Sequence, residues 1–220
     1  MTRVMVVSPH PDDESIGCGG ALRRHVVDGD DVSVVFLTSG EKGGHGRDEA
    51  ATATLREKEA RTACEILGVK DVAFLHQPDG ALRAAPAAVG QLRDQIRAWR
   101  PELIYVPHDR EMHPDHRAAV RLLSKALVTT NGVKHGKRNG RSQPRVLMFE
   151  VWTPLQRMDE IVDISPYVDD KRKAIRAYRS QCAVVGFEPA ILGLNRYRGE
   201  LHSWPGGDYA EVFAELTLGP

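Results

Sequence analysis

Pro9-His10-Pro11-Asp12-Asp13-Glu14 follows directly on the apolar run Val4-Met5-Val6-Val7. A histidine and adjacent carboxylates at the exit of a short buried strand need partners. Charge near a low-dielectric interior is costly, and a divalent metal can satisfy several such groups at once. A second cluster, His113-Pro114-Asp115-His116, comes after another apolar run, Leu103-Ile104-Tyr105-Val106. Catalytic zinc takes three nitrogen, sulfur or carboxylate ligands and keeps a fourth position for water. His10, Asp13 and His116 would supply such a set, with Asp12 free beside it as general base for hydrolysis. Metal coordination would bring the water's pKa to roughly 7. A protonated His113 would face the oxyanion of a tetrahedral intermediate, with Asp115 holding its tautomer and charge. His113 and His116 are three apart at a helix start, so they project to roughly the same side. The residues alone leave the order of the two histidines open. They also leave the metal open, since this ligand set accepts ferrous iron and other divalent ions besides zinc.

The two clusters can meet only if their strands lie side by side in one sheet. Val4–Val7 reads as a strand covered on both faces. A helix is expected from about Cys18 to Asp28, stopped by Gly29. Val32–Leu37 is a second buried strand. The Gly-rich segment Ser39–Gly46 leads to a helix ending near Leu67, capped by Gly68, and Val72–Leu75 follows as a short strand. Val89, Leu92, Ile96 and Trp99 recur at helical steps, so Ala87–Arg100 is an amphipathic helix ended by Pro101. Leu103–Val106 is the next strand and Pro114–Leu127 the next helix. Val146–Val151, Ile161–Ile164 and Val212–Leu218 complete the strands. Ser165 fits an N-cap, with Pro166 at the first position of a helix to about Ser180. This alternation implies one α/β domain over residues 1–220, with a mostly parallel sheet and helices on both faces. Ligands bind such sheets beyond the carboxyl ends of the strands, where both clusters lie. The basic segment 129–143 is expected to be a mobile solvated excursion or a lid over an anionic or sugar substrate.

The chain has 220 residues, enough for one full core. Lys+Arg and Asp+Glu balance at 30 each, which argues against a broad nucleic-acid footprint. Cys18, Cys64 and Cys182 form no CxxC, so a disulfide framework or thiolate zinc site is not expected. The N-terminal apolar run is too short for a signal-peptide core, and no stretch approaches the roughly 18 apolar residues of a membrane span. A cytoplasmic protein without membrane insertion is the expectation. Gly17-x-Gly19-Gly20 imitates part of a dinucleotide fingerprint, but the acidic cluster before it would repel pyrophosphate. These glycines read as close packing at a helix start.

His10-Pro-Asp-Asp-Glu14 together with His113-Pro-Asp-His116 resembles the PIG-L/LmbE-like family of zinc-dependent de-N-acetylases. Leu37-Thr38-Ser39-Gly40-Glu41, Arg56-x-x-Glu59, Tyr178-x-Ser180-Gln181 and Tyr209-Ala210-Glu211-x-Phe213 extend the resemblance over most of the chain. The resemblance implies a Rossmann-like fold. It implies a zinc-dependent hydrolase that takes the N-acetyl group from an N-acetylglucosamine-type amino sugar conjugate, a small-molecule substrate. It also fixes the order of the histidines: His10, Asp13 and His116 as metal ligands, Asp12 as base, His113 as oxyanion donor and Asp115 as the residue orienting it. The family uses an arginine from the region of Arg47 and Arg56, which makes both candidates for substrate binding. The competing reading of Arg56 is a surface ion pair with Glu59, three residues on. His108 and Asp109 are candidates for a second ring around the site, and His202 with Trp204 for its mouth. The same motifs would serve an amidase for a thiol-sugar conjugate or a deacylase for an antibiotic glycolipid. A sugar-binding protein without activity is disfavoured by the complete set of ligand, base and oxyanion residues. A homo-oligomer would be ordinary for a small α/β enzyme.

Overall fold

Successive side chains of a strand point to opposite faces, and strands buried on both faces need helices on both sides. The computed structural model describes residues 1–130, 143–201 and 207–217. In it Arg3–Ser8 forms β1, with Val4 and Val6 in one core layer and Met5 and Val7 in the other. The chain continues through α1 (Asp13–Val27), β2 (Asp31–Phe36), a 3-10 turn (Glu41–Gly44), α2 (Glu49–Leu67), β3 (Asp71–Phe74), α3 (Pro86–Trp99) and β4 (Leu103–Pro107). Then come α4 (Pro114–Thr130), β5 (Arg145–Phe149), β6 (Glu160–Asp163), α5 (Val168–Ala177), α6 (Arg179–Cys182), α7 (Phe187–Leu201) and β7 (Ala210–Glu215). The first core layer takes side chains from α1, α2 and α5, and the second from α3 and α4.

The seven strands form one sheet in the order β3-β2-β1-β4-β5-β7-β6. β1 to β5 pair in parallel, and β7 runs antiparallel to both β5 and β6. The chain steps outward from β1 to β3, then returns to place β4 on the other side of β1. The exits of β1 and β4 therefore open onto a topological switch point, where a crevice forms. The expected mostly parallel α/β sheet is the observed one.

Three elements differ from the sequence reading. α1 begins at Asp13, not Cys18, and bends at Cys18 (φ −141°, ψ 17°). At the bend a buried ion pair reaches the backbone of Gly20 and Ile16. Gly20 N–H donates to Glu211 Oε1 at 2.9 Å, and Lys171 Nζ donates to the Ile16 carbonyl at 2.7 Å and to Glu211 at 2.6 Å. Both side chains are buried, so the pair works as a brace whose groups are all satisfied. The glycines do pack closely: a Cβ on Gly17 would lie 2.0 Å from the Phe149 ring, and one on Gly20 2.6 Å from Ile164. Second, Ser165 opens only a 3-10 turn (Ser165–Tyr167), and the helix expected to reach Ser180 breaks at Tyr178. Third, α7 has no counterpart in the sequence reading. Residues 131–142 of the basic segment lie outside the described residues, as do His202 and Trp204. Among the described residues no helix is long and apolar enough to cross a membrane.

Candidate active site and metal centre

Asp12 stands at the N-cap of α1 with φ 125°, a conformation unusual for a residue with a side chain. Strain of this kind persists only where surrounding contacts over-determine it. Here Asp12 N–H donates to Glu14 Oε2 at 3.2 Å, and Glu14 Oε1 is held by Tyr178 Oη at 2.5 Å and Ser15 Oγ at 2.6 Å. The break at Tyr178 is what delivers that hydroxyl. Arg56 reaches across from α2. Its Nη2 donates to Asp12 Oδ2 at 2.9 Å and to the Pro11 carbonyl at 2.5 Å, and Nη1 to the Gly40 carbonyl at 2.9 Å. Arg56 is 4% exposed. It is thus not the surface partner of Glu59, and its guanidinium is turned to Asp12 and the carbonyls of Pro11 and Gly40. Glu59 instead accepts from Ser180.

His10 Nδ1 lies 3.1 Å from Asp13 Oδ2, and the same oxygen lies 3.3 Å from His116 Nε2. The three expected ligands thus meet through one Asp13 oxygen, from the exits of β1 and β4, while the groups of described residues whose ligand atoms all lie within 4.8 Å of one another are His10, His113 and His116, and His10, Asp79 and Asp115. His116 is fully buried, and neither of its ring nitrogens has a hydrogen-bond partner. A cation shared with Asp13 and His10 would satisfy the orphaned nitrogen, so the donor set fits a divalent metal. His113 offers a further nitrogen, within 4.8 Å of nitrogens on His10 and His116.

The link between Asp115 and His113 is not the expected one. The Asp115 carboxylate accepts from Gly80 N–H at 2.7 Å and Leu82 N–H at 3.1 Å, and lies 3.3 Å from His10 Nε2. It makes no hydrogen bond to the His113 ring. The Asp115 backbone N–H does so instead, donating to His113 Nδ1 at 3.2 Å. That bond needs a lone pair on Nδ1 and leaves Nε2 to carry the proton.

Two carboxylates were not singled out from the sequence. Asp79 Oδ1 lies 3.1 Å from His10 Nε2. Glu111 Oε2 lies 3.6 Å from His116 Nδ1, while its Oε1 accepts from the N–H groups of Val151, Trp152 and Thr153. Glu111 stands two residues before the second motif, the only signal that could have flagged it. His108 is buried against Glu111 and the Thr153 carbonyl, whereas Asp109 is exposed. Arg47 is exposed and lines a groove of about 570 Å³ with Arg179, Thr52 and Val184.

The electrostatics divide the acids. Burial raises Asp12 to about 7, against the pull of Arg56. Burial also raises Asp13, but the charge of His116 and the hydrogen bond of His10 outweigh it and hold Asp13 far below the carboxylate range. Burial lowers His116, yet Asp13 outweighs this and brings it to about 9. Burial lowers His10 too, and Asp115, Asp13 and Asp79 together lift it well above its ordinary value. His113 moves down, through burial and the positive charges of His10 and His116. In the metal-free site the ligand histidines are thus biased toward the protonated form and His113 toward the neutral form, while Asp12 is raised to about 7.

This fold and site define a class of proteins. Residues 5–127 match the family model described as PIG-L, GlcNAc-PI de-N-acetylase, and the chain belongs to that family. It is 30% identical to diacetylchitobiose deacetylase of Thermococcus kodakarensis over 81% of this chain and 70% of that protein. The crystal structure of the conserved protein TT1542 from Thermus thermophilus superposes with a TM-score of 0.84 at 33% identity, covering 100% of this chain and 97% of the other. The 4-carboxy-2-hydroxymuconate hydratase of Pseudomonas putida KT2440 superposes with a TM-score of 0.86 at 28% identity, covering 99% and 97%.

Proposed function

We propose that this chain is a zinc-dependent hydrolase that removes the N-acetyl group from an N-acetylglucosamine-type conjugate. One observation carries the reading: the buried Asp12 carboxylate is held by Arg56 at 2.9 Å beside the donors of His10, Asp13 and His116. A bound divalent ion supplies Lewis acidity and a water that ionises near neutrality. Asp12 accepts the proton of the attacking water and returns it to the departing amine nitrogen. Arg56 keeps the Asp12 carboxylate aimed. His113, neutral and protonated on Nε2, donates to the oxyanion in place of the imidazolium that the sequence suggested.

The hydratase relative favours a second reading, addition of water to an unsaturated acid, for which Asp12 could again take a proton. The two readings differ in the product they release, and the test below separates them.

The test is acetate release from N-acetylglucosamine and its conjugates, with chelated and zinc-reloaded protein side by side. Release that stops with the chelator and returns with zinc supports the proposal. Cleavage of only longer acyl amides would move the reading to an amidase of thiol-sugar conjugates or a glycolipid deacylase. Hydration of an unsaturated polycarboxylate without acetate release would replace it.

A further inference from the structure

We propose that Asp79, acting with Asp115, fixes the tautomer of the metal ligand His10 and is a positioning residue for metal capture. The inference deepens the metal-hydrolase reading and rests on it for the identity of the ligands. A neutral imidazole has one N–H and one lone pair. On His10 the two nitrogens face different company. Nδ1 looks at Asp13 Oδ2 (3.1 Å), the oxygen shared with His116. Nε2 looks at Asp79 Oδ1 (3.1 Å) and Asp115 Oδ2 (3.3 Å). Two carboxylates at Nε2 draw the N–H there and leave the lone pair of Nδ1 for a cation between Asp13 and His116.

Each carboxylate is also held from its other side. Asp115 is tied to Gly80 and Leu82, as described above. Asp79 Oδ2 accepts from Lys42 N–H at 2.8 Å, and Asp79 N–H donates to Glu41 Oε1 at 2.8 Å. Asp79 is 7% exposed. The 3-10 turn after β2 is thereby coupled to His10 through one residue. The other ligand histidine has a matching arrangement, with Glu111 behind Nδ1 of His116. Carboxylates behind ligand histidines are a general device for fixing ring orientation and raising basicity. His10, Asp79 and Asp115 could also bring three ligand atoms within 4.8 Å of one another, so a second cation is the rival explanation.

The experiment uses the full chain and no sugar substrate, so failure of the deacetylase reading would leave its result standing. Zinc per chain is counted, and zinc affinity is measured against a chromophoric chelator for wild type, Asp79→Ala and Asp79→Asn. The account predicts one zinc per chain and a loss of affinity of about 10–100-fold in Asp79→Ala. Asp79→Asn recovers most of that loss, because its amide oxygen still accepts from Nε2–H. Nitrogen NMR of zinc-loaded protein labelled at histidine shows His10 metal-bound at Nδ1 and protonated at Nε2, a readout that holds even if Asp79→Ala does not fold. Folded Asp79→Ala with wild-type affinity, two zincs per chain, or zinc on His10 Nε2 would each overturn the inference.

Discussion

After β1 the chain passes through Asp12 at φ 125° into a helix bent at Cys18, whereas after β4 none of residues 107–116 has positive φ and α4 starts at Pro114. The β1 exit carries Asp12, Asp13 and Glu14, and the β4 exit carries His113 and His116. The strained half thus holds the proposed base and the ligands His10 and Asp13, and the unstrained half holds the third ligand and the oxyanion donor. Strain is tolerated at the β1 exit because it is braced from far away in sequence. Arg56, Tyr178, Lys171 and Glu211 all converge on the first turns of α1. The contrast suggests a division of labour: the unstrained β4 half adds one ligand and the oxyanion donor, whereas the β1 half, with the base and two ligands, depends on long-range support for its strained turn.

Changing each half separately tests that division. The largest effect is expected from His116→Ala, which removes a ligand from the unstrained half. Metal content should fall to background, with activity lost in the same proportion, while far-UV circular dichroism is kept. A fully occupied His116→Ala protein would show that His116 is not a metal ligand. Next comes the brace. Lys171→Met leaves the Glu211 charge buried without its partner, which costs about 3–5 kcal/mol. Urea unfolding reads this directly, and a loss under about 1 kcal/mol would mean the brace is dispensable.

A smaller effect has a definite sign. The folded pKa of Asp12, about 7, lies above its ordinary value of 3.8, so the fold favours the protonated form. The stability from this group is present below about pH 4 and is lost as pH rises through about 7. Asp12→Asn escapes that loss. The metal-free variant should therefore melt above the wild type at pH 8 and together with it at pH 4. Equal melting temperatures at pH 8 would remove the burial argument for Asp12.

Metal uptake sharpens the same picture from the β4 side. His116 holds its proton up to about pH 9 in the metal-free site, and a ligand imidazole must give it up. Zinc affinity should rise by about tenfold per pH unit for each proton displaced, between pH 6.5 and about 9. An affinity that is flat across this range would place the metal away from His116.

The sequence made both exits visible because their signals are local. The apolar runs Val4–Val7 and Leu103–Val106 and the polar clusters after them mark strands and site together. What escaped it depends on contacts distant in sequence. The start of α1 at Asp13 was missed because its first turn is acidic, and those acids are buried by groups from α2 and from the chain around residue 178. α7 was missed because its inward face is part polar: Asn195 donates to the Ala210 carbonyl, and Arg198 pairs with Glu150, so no apolar period appears. Asp79 sits in Gln77-Pro78-Asp79-Gly80, which reads as a turn. Its approach to His10 spans 69 residues, and no local pattern reports it. Arg56 carried the right interest and the wrong partner, since helix spacing points to Glu59 while tertiary packing chose Asp12.

The most direct test of the account is the turnover of zinc-loaded Asp12→Asn on the acetylated sugar that the wild type prefers, with metal content measured on the same sample. The account predicts full zinc occupancy and a kcat lower by about 10²–10⁴. Turnover equal to wild type, with the metal in place, would contradict Asp12 as the base at the strained strand exit.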